Sequence, residues 1–236
     1  MREDLINWLE GFSAAIKLTQ ESDLHEMYKI GGTALDLNES DEPLEIIDPP
    51  YLPVLTEAQQ KKTYTLVLDL DETLVHYFEI GTRGKFLIRP GVDSFLAEME
   101  KYFEIVIFTA AIQEYADWAI SQITQNKSIK YRLYRQHTIP WGSVYIKDLS
   151  RLGRDLKRVI IVDNVPENFQ LQQENGIFIT SWFDDVTDTA LSELSMILSD
   201  IGRQKTNDLR EALREYRSML NKSESVEVLS MSGEIH

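Results

Sequence analysis

The chain has 236 residues, of which 43% are hydrophobic, and its 24 basic and 39 acidic residues give a formal net charge of −15. A chain of this length can bury the core of one full α/β domain with some additional segments, but hardly of two. So large a negative charge argues against general binding to nucleic acid or to anionic membranes. The sequence contains no cysteine, which excludes a disulfide framework, a zinc–thiolate site and a thiol nucleophile.

The start of the chain is acidic where a secretory signal would have a basic region. No uninterrupted apolar run approaches the roughly 18 residues of a membrane-spanning helix. We therefore expect a protein of the nucleus or cytoplasm, with no membrane insertion and no direct contact with nucleic acid. We also expect it to be a monomer.

The first 60 residues form a strongly acidic extension, with 13 acidic residues against three basic ones. Apolar residues at helical spacing predict a short amphipathic helix over residues 4–18. Residues 31–53 are rich in Gly, Asp, Glu and Pro, which is typical of an extended linker. We therefore expect the folded domain to span residues 61–220, followed by a Ser-rich, disordered tail over residues 221–236.

Within residues 61–220, apolar runs typical of buried strands alternate with segments of helical periodicity. This alternation predicts a doubly wound α/β domain with a parallel sheet. Two short apolar runs around residues 81–84 predict a β-hairpin insertion that is too small to form a cap domain. Strands are predicted at residues 64–68, 103–108, 131–138, 144–146, 159–162 and 176–180, and helices at about 92–101, 112–123, 185–201 and 207–220.

Polar side chains follow three of the predicted buried strands at the point where each strand ends. Ligands of open parallel sheets bind at the carboxyl ends of the strands, so these side chains are expected to share one edge of the sheet. Asp69 and Asp71 stand two residues apart on extended chain and therefore project to the same side. The residues at this edge are Asp69, Asp71 and Thr73, then Thr109, then Asp163 and Asn164, with Lys147 just ahead of the last strand.

This set of side chains suits phosphoryl transfer. A carboxylate that attacks a phosphate dianion is repelled, so the site has to supply positive charge through Mg²⁺ and the ammonium of Lys147. Hard oxygen ligands for Mg²⁺ are available from Asp69, Asn164 and a main-chain carbonyl. Asp69 is expected to be ionised and to act as nucleophile, whereas Asp71 has to hold a proton near neutrality to act as general acid. Thr109 is expected to donate to a phosphate oxygen.

A less specific interpretation remains for each of these features. The loop after the first strand is also compatible with an aspartate that only caps the following turn. Nine basic residues between Lys127 and Arg158 stand with only two acidic ones and suggest an anionic ligand. An ordinary charged surface explains most of these nine equally well.

Several short motifs resemble one known family. Asp69-Leu-Asp71-Glu-Thr73 matches the DxDxT signature of haloacid dehalogenase superfamily phosphatases. Over about residues 61–220 the chain is similar to the small phosphatases that act on the C-terminal domain of RNA polymerase II. The other stretches that carry the resemblance are Arg89-Pro-Gly-Val-Asp93, Phe108-Thr-Ala110, Tyr115-Ala-Asp117, Lys147-Asp-Leu-Ser-Arg-Leu-Gly-Arg-Asp155, Asp163-Asn164 and Ser181-Trp-Phe-Asp184.

The resemblance implies a Mg²⁺-dependent protein serine/threonine phosphatase that acts through an aspartyl-phosphate. By that similarity Asp69 is the nucleophile and a metal ligand. Asp71 is the acid/base and binds the metal through its carbonyl, and Asn164 is a further metal ligand. Thr109 and Lys147 bind the phosphate.

The resemblance also implies roles around this centre. Asp163 supports the metal ligands. From its position two residues after Asp71, Thr73 is expected to tie down the turn that follows, and we group it with the substrate-binding residues. Tyr115 and Arg135 contact the substrate, which is the C-terminal domain of RNA polymerase II or another phosphoprotein. Relatives that act on polymerase tails have a longer segment where this chain has only the hairpin. An open cleft without a lid admits a loop or tail of a protein but shields a small metabolite poorly.

Two alternatives stay open. The first is a catalytically inactive module of the same fold that binds phosphopeptides or proteins, like the matrix-facing receptor of the inner mitochondrial membrane translocase. The second is a small-molecule phosphatase or phosphotransferase of the same superfamily. The intact pair of Asp69 and Asp71 disfavours the first alternative, and the small hairpin disfavours the second.

Overall fold

The computed structural model describes residues 16–18, 47–80 and 83–218 of the chain. Most of the acidic extension and the predicted tail over residues 221–236 lie outside these ranges. None of the helices in the described part combines the length and the apolar composition that a bilayer-spanning segment needs.

The elements are numbered here in chain order. The strands are β1 (Ile16–Leu18), β2 (Tyr64–Leu68), β3 (Val75–Ile80), β4 (Arg83–Ile88), β5 (Phe103–Phe108), β6 (Ile129–Leu133), β7 (Ile139–Trp141), β8 (Val144–Ile146), β9 (Val159–Asp163) and β10 (Gly176–Ile179). The helices are α1 (Glu57–Gln60), α2 (Val92–Met99), α3 (Gln113–Ser121), α4 (Ala190–Gln204) and α5, which is described over residues 209–218. Short 3₁₀ segments are Asn126–Ser128, Arg135–His137, Leu149–Leu152, Leu156–Arg158 and Pro166–Asn175.

A six-stranded sheet in the order β1-β10-β9-β2-β5-β6 forms the centre of the described domain. The last five strands in this order run parallel, and β1 pairs antiparallel with β10. β2 lies between β9 and β5, with Leu68 opposite Val162 on one side and Ile107 on the other. The carboxyl ends of these three strands therefore meet at one edge, as predicted.

The central strands form here because their side chains tolerate burial on both faces. Every residue of β2 and of β5 is buried, and such continuous apolar runs are typical of parallel strands that are covered on both sides. Successive side chains alternate between two cores, so that Leu66 and Leu68 belong to one core and Val67 to the other.

Helices cover one face of the sheet and 3₁₀ segments cover the other. Ile120 of α3 and Leu194 of α4 lie in the larger core. The opposite core is closed by residues of Leu149–Leu152 and Pro166–Asn175. The predicted α/β fold with a parallel sheet is confirmed, with short 3₁₀ segments taking the place of α-helices on the second face.

The hairpin prediction is confirmed, and one strand prediction is only partly right. β3 and β4 pair antiparallel and form a separate two-stranded sheet. The strand predicted at residues 131–138 ends at Leu133, and the chain turns through Arg135–His137. Tyr134 N donates to His137 Nδ1 (3.0 Å), so a side chain captures the backbone group that a longer strand would have paired.

The helix predicted over residues 4–18 is wrong at its C-terminal end. Ile16–Leu18 form strand β1, in which Ile16 stands opposite Ile179 of β10. Without β1 this side of β10 would present unpaired backbone groups, so the sheet edge favours an extended partner over a helix. The rest of the predicted helix lies outside the described residues.

The end of the predicted linker belongs to the packed domain. Leu52 is 2% exposed, and its N–H donates to the Leu152 carbonyl (3.3 Å). Arg154 Nη1 donates to the Pro53 carbonyl (2.9 Å). The domain therefore begins before the predicted boundary at residue 61, because an apolar side chain amid Pro and acidic residues is enough to anchor this segment.

Gly202 lets α4 pack directly against Tyr102. A Cβ at position 202 would lie 2.7 Å from both Cβ and Cγ of Tyr102, which is too close for carbon atoms without displacement. For Gly202→Ala, helix propensity alone predicts a gain of about 1 kcal/mol, whereas overpacking costs about 1–3 kcal/mol. We expect the free energy of unfolding, measured by urea denaturation, to fall.

The matched control for this prediction is Ser195→Ala on the same helix. Ser195 is half-buried and stands apart from the close contact with Tyr102. Its replacement is expected to change the free energy of unfolding by no more than about 0.5 kcal/mol. A gain in stability for Gly202→Ala would show that α4 does not lie this close to Tyr102.

Candidate active site

The loop after β2 carries three of the predicted site residues. Asp69 N donates to the Val162 carbonyl (3.0 Å), so the pairing with β9 continues one step beyond the strand. Glu72 then takes a left-handed backbone conformation with φ 55°, and its carbonyl accepts from Trp182 N (2.8 Å). Such a conformation costs on the order of 1 kcal/mol or more for a residue other than glycine. The chain therefore turns back directly after Asp71, and tertiary contacts hold the turn.

Arg89 and Asp188 fix the far side of this loop. The buried Arg89 guanidinium donates from Nε and Nη2 to the two carboxylate oxygens of Asp188, each at 2.8 Å. Its Nη1 donates to the Thr73 carbonyl (3.1 Å). Sequence reasoning noted Arg89 only as part of a motif and missed Asp188. A buried arginine requires a carboxylate partner, but the sequence does not indicate which acidic residue supplies it.

Lys147 is the fully buried centre of the site. Its Nζ donates to Asp69 Oδ1 at 2.5 Å and to Asp163 Oδ2 at 2.6 Å. Burial alone would lower the pKa of Lys147, but the two carboxylates outweigh burial and raise it, so the ammonium keeps its charge. Burial raises the pKa of Asp163 to about 7, with Lys147 opposing this shift and the Asp69 charge adding to it. Two carboxylates thus share a single ammonium.

Asp163 is held from behind by the loop that follows β9. Its Oδ1 accepts from Val165 N (2.8 Å) and from Asn168 Nδ2 (3.1 Å). The Asn168 carbonyl in turn accepts from Lys147 N (2.6 Å). Asp163 therefore orients Lys147, whereas its expected support of the metal ligands stays a prediction. Asn168 was not predicted, because an asparagine in an irregular segment carries no periodic signal.

Asp71 lies with each carboxylate oxygen next to a different partner. The Tyr115 hydroxyl donates to Oδ1 (2.6 Å), and Thr109 Oγ1 lies 3.5 Å from Oδ2. Burial raises the pKa of Asp71 to about 7; the Tyr115 hydrogen bond opposes this shift, and the negative charge of Asp69 adds to it. A carboxyl group that retains a proton near neutrality meets the requirement for a general acid.

Oxygen donors for a metal ion gather around Thr73. Its Oγ1 lies 3.1 Å from Asp69 Oδ2 and 3.2 Å from Asn164 Oδ1. Asn164 Nδ2 donates to Ser181 Oγ (2.9 Å), which turns the amide oxygen towards the site. The described residues hold no group of three His, Asp or Glu side chains placed for a metal. The predicted set instead combines two aspartates with an amide oxygen.

This donor set fits Mg²⁺. All of its atoms are hard oxygens, which Mg²⁺ prefers over nitrogen or sulfur. The Lys147 ammonium contacts the carboxylates of Asp69 and Asp163. A bound Mg²⁺ would be held by Asp69, Asn164 and the main-chain carbonyl of Asp71, and it would add positive charge to this acidic site.

Arg135 lies beside the loop that carries Thr109. Its Nε donates to the Ala110 carbonyl (2.6 Å), and its guanidinium stands 5.0 Å over the Tyr145 ring. The side chain is half-buried, so it reaches the rim of the site and not its centre. A substrate contact for Arg135 stays a prediction.

Most of the nine basic residues between Lys127 and Arg158 have partners elsewhere. Lys130 and Arg154 both donate to Glu104, and Arg132 donates to Asp117. Their interpretation as ordinary structural and surface charges therefore holds. The predicted residues at this edge of the sheet form two hydrogen-bonded groups. One contains Asp69, Thr73, Lys147, Asp163 and Asn164. The other contains Asp71, Thr109 and Tyr115.

The fold and this site define a phosphatase domain of the haloacid dehalogenase type. Residues 64–210 match the model of the NLI interacting factor-like phosphatase family. The chain belongs to this family, and the resemblance inferred from the motifs is confirmed.

Curated relatives agree with this assignment. A probable C-terminal domain small phosphatase from Dictyostelium discoideum is 43% identical over 170 residues, which cover 65% of this chain and 55% of the relative. The human carboxy-terminal domain RNA polymerase II polypeptide A small phosphatase 1 is 36% identical over 183 residues, covering 71% of this chain and 69% of the relative. Among solved structures, the RNA polymerase II CTD phosphatase Fcp1 is 20% identical with a TM-score of 0.42, covering 75% of this chain and 56% of that one.

Lys147→Met removes the only ammonium from a cluster of buried carboxylates. Breaking a buried ion pair in this way costs about 3–5 kcal/mol of stability. Lys130→Met is the matched control, because Lys130 also contacts a carboxylate at 2.8 Å but its side chain is 56% exposed. The loss of stability in Lys130→Met is expected to stay below about 1 kcal/mol. Urea denaturation in EDTA measures both losses.

The loss in Lys147→Met also depends on pH in a defined direction. Without the ammonium, the folded-state pKa of Asp163, which burial already raises, rises further above its value in the unfolded chain. The folded state then takes up protons more readily than the unfolded state as the pH falls, which restores stability. We expect a larger loss at pH 8 than at pH 5. A loss that grows at pH 5, or that equals the loss in Lys130→Met, would contradict the buried cluster.

Proposed function

We propose that this protein is a Mg²⁺-dependent protein serine/threonine phosphatase that forms an aspartyl-phosphate on Asp69. The observation that carries the proposal is the contrast between two aspartates on one loop. Asp69 receives the Lys147 ammonium at 2.5 Å, whereas burial raises the pKa of Asp71 to about 7. The ammonium beside Asp69 supports attack by its carboxylate, and Asp71 holds a proton for the leaving group.

In the first half-reaction a carboxylate oxygen of Asp69 bonds to phosphorus and the bond to the serine or threonine oxygen breaks. The leaving oxygen takes the proton of Asp71. Lys147, which contacts Asp69, and the hydroxyl of Thr109, which lies near Asp71, would meet the charge on the phosphoryl oxygens. A bound Mg²⁺ supplies the further positive charge that lets two anions approach each other.

In the second half-reaction Asp71, now a carboxylate, accepts a proton from water. The water oxygen bonds to phosphorus, and the bond between phosphorus and Asp69 breaks. Asp69 returns to its ionised form beside Lys147, and inorganic phosphate leaves. The same carboxyl group thus serves as acid and then as base.

A phosphoprotein is the proposed substrate class. The names of the human and Dictyostelium relatives refer to the C-terminal domain, and the human name specifies RNA polymerase II. The chain spans 55% of the Dictyostelium relative and 69% of the human one. We extend the substrate to this chain as a proposal: the C-terminal domain of RNA polymerase II or another phosphoprotein of the nucleus or cytoplasm. The short hairpin leaves the site open to a protein segment.

Asp69→Asn tests the nucleophile. We expect the variant to fold, because an amide of the same shape keeps the contacts of the buried position, and to lose turnover by at least about 10³-fold. The assay is phosphate release from p-nitrophenyl phosphate and from a panel of phosphoserine peptides, with Mg²⁺ and with EDTA. Wild-type activity is expected only with Mg²⁺.

Asp155→Asn is the matched control for this experiment. This variant makes the same substitution, aspartate to asparagine, at a residue on an exposed turn. Asp155 accepts a hydrogen bond there from Lys157 N (3.0 Å). It is expected to retain wild-type turnover. Activity retained by Asp69→Asn would remove the nucleophile assignment. Folded wild-type protein that turns over no substrate but binds phosphopeptides would instead favour the inactive binding module.

A further inference from the structure

Tyr115 contacts the proposed general acid directly, and substrate binding alone would not require this contact. Its hydroxyl donates to Asp71 Oδ1 at 2.6 Å. Burial raises the pKa of the Tyr115 phenol well above its usual range, and the Asp71 charge adds to this shift. The phenol is therefore protonated near neutrality and can donate to Asp71.

The second oxygen of Asp71 has a different environment. Oδ2 lies 3.5 Å from Thr109 Oγ1, which itself accepts from Ala111 N at 3.0 Å. Thr109 is the residue expected to bind the phosphate. Oδ2 therefore points towards the reacting group, while Oδ1 is occupied by the phenol.

The ring of Tyr115 is fixed by other aromatic side chains. It meets Tyr77 of the hairpin edge to face, with ring centroids 5.9 Å apart, and Trp118 of its own helix at 6.1 Å. Trp118 in turn packs against Phe86 of the hairpin at 5.0 Å. Aromatic contacts of this geometry stabilise the pair beyond simple burial. The hydroxyl thus has little freedom to leave Asp71.

We propose that Tyr115 is a positioning residue, which holds Asp71 Oδ1 so that Oδ2 carries the transferable proton and faces the leaving oxygen. This inference rests on the proposed phosphatase function. It differs from the role implied by the family resemblance, in which Tyr115 contacts the substrate. It also assigns the hairpin an indirect role in catalysis. Tyr77 packs against Tyr115 and Phe86 packs against Trp118, and these contacts hold the phenol in place.

The proton balance defines what Tyr115 contributes. When the phosphorus–oxygen bond of the substrate breaks, the electron pair stays on the leaving oxygen, which takes the proton from Oδ2. Asp71 becomes a carboxylate that still accepts from Tyr115 through Oδ1. In hydrolysis of the aspartyl-phosphate, Oδ2 takes a proton from the attacking water. Tyr115 itself gains and loses no proton.

The dependence of rate on leaving group separates this role from substrate binding. A serine alkoxide is a poor leaving group and needs the proton, whereas p-nitrophenolate leaves without it. The ratio kcat/KM reports only the steps up to release of the alcohol, so slow hydrolysis of the aspartyl-phosphate does not mask the effect. A set of phenyl phosphates with increasingly basic leaving groups covers the range between the two extremes.

We expect Tyr115→Phe to lower kcat/KM for a phosphoserine peptide by about 10–100-fold and for p-nitrophenyl phosphate by less than about 3-fold, within the range of general acid catalysis. Across the phenyl phosphates, kcat/KM should fall more steeply with leaving-group basicity than in the wild type. Tyr216→Phe is the matched control. Its hydroxyl also donates to an aspartate, Asp200, between α4 and α5 and apart from the site, so its slope should equal that of the wild type.

A second variant tests whether Tyr115 acts through Asp71. In an Asp71→Asn background, Tyr115→Phe should cause no further change in the slope, because the proton that it positions is already absent. An equal loss on every substrate, or a rise in KM with kcat unchanged, would overturn the positioning role in favour of substrate binding. No change on any substrate would overturn it as well.

The same assays keep this inference apart from the proposed function. Wild-type turnover of p-nitrophenyl phosphate that disappears in Asp69→Asn supports the phosphatase, whatever Tyr115 does. A normal slope in Tyr115→Phe would then refute only the positioning role. Folded wild-type protein without any turnover would overturn both proposals.

Discussion

The rest of the site depends on the buried ammonium of Lys147 between Asp69 and Asp163. Those two carboxylates follow β2 and β9, which are neighbours in the sheet. Without the ammonium, two anions would be buried side by side at the ends of paired strands, at a cost of several kcal/mol. With it, the two strand ends can approach closely. A single lysine thereby supports the fold at the edge where the proposed metal site lies.

A second constraint keeps the catalytic loop from relaxing. Glu72 holds a backbone conformation that is unfavourable for its residue type, and Trp182 N supports its carbonyl. Arg89 anchors the same loop through the Thr73 carbonyl while its guanidinium pairs with Asp188. Removing either anchor would release the turn and with it the separation of roles between Asp69 and Asp71. The contacts that balance this strain come from Trp182 and Asp188 in the loop before α4 and from Arg89 between β4 and α2.

The sequence predicted the central strands correctly, because a segment that is buried on both faces of a sheet has a distinctive, continuous apolar pattern. The runs at residues 64–68 and 103–108 form strands with the predicted bounds, because continuous apolar, β-branched sequence is stable only inside such a sheet. Sequence reasoning failed where a distant partner decides the outcome. Ile16–Leu18 follow the edge of β10 and not their helical periodicity, and the contact of Tyr115 with Asp71 depends on how α3 approaches the loop. The spacing of residues along the sequence does not predict how α3 lies against the loop that carries Asp71.

The short hairpin packs against α3 beside the site. Tyr77 stands opposite Phe86 in the β3–β4 register, and both side chains pack towards α3 through Tyr115 and Trp118. A hairpin held in this way cannot swing over the site as a lid without pulling away the support of Tyr115. Closure and correct placement of the acid would then exclude each other. Under the proposed function, water exclusion would come from the bound substrate, which favours a protein segment that covers the site over a small phosphate ester.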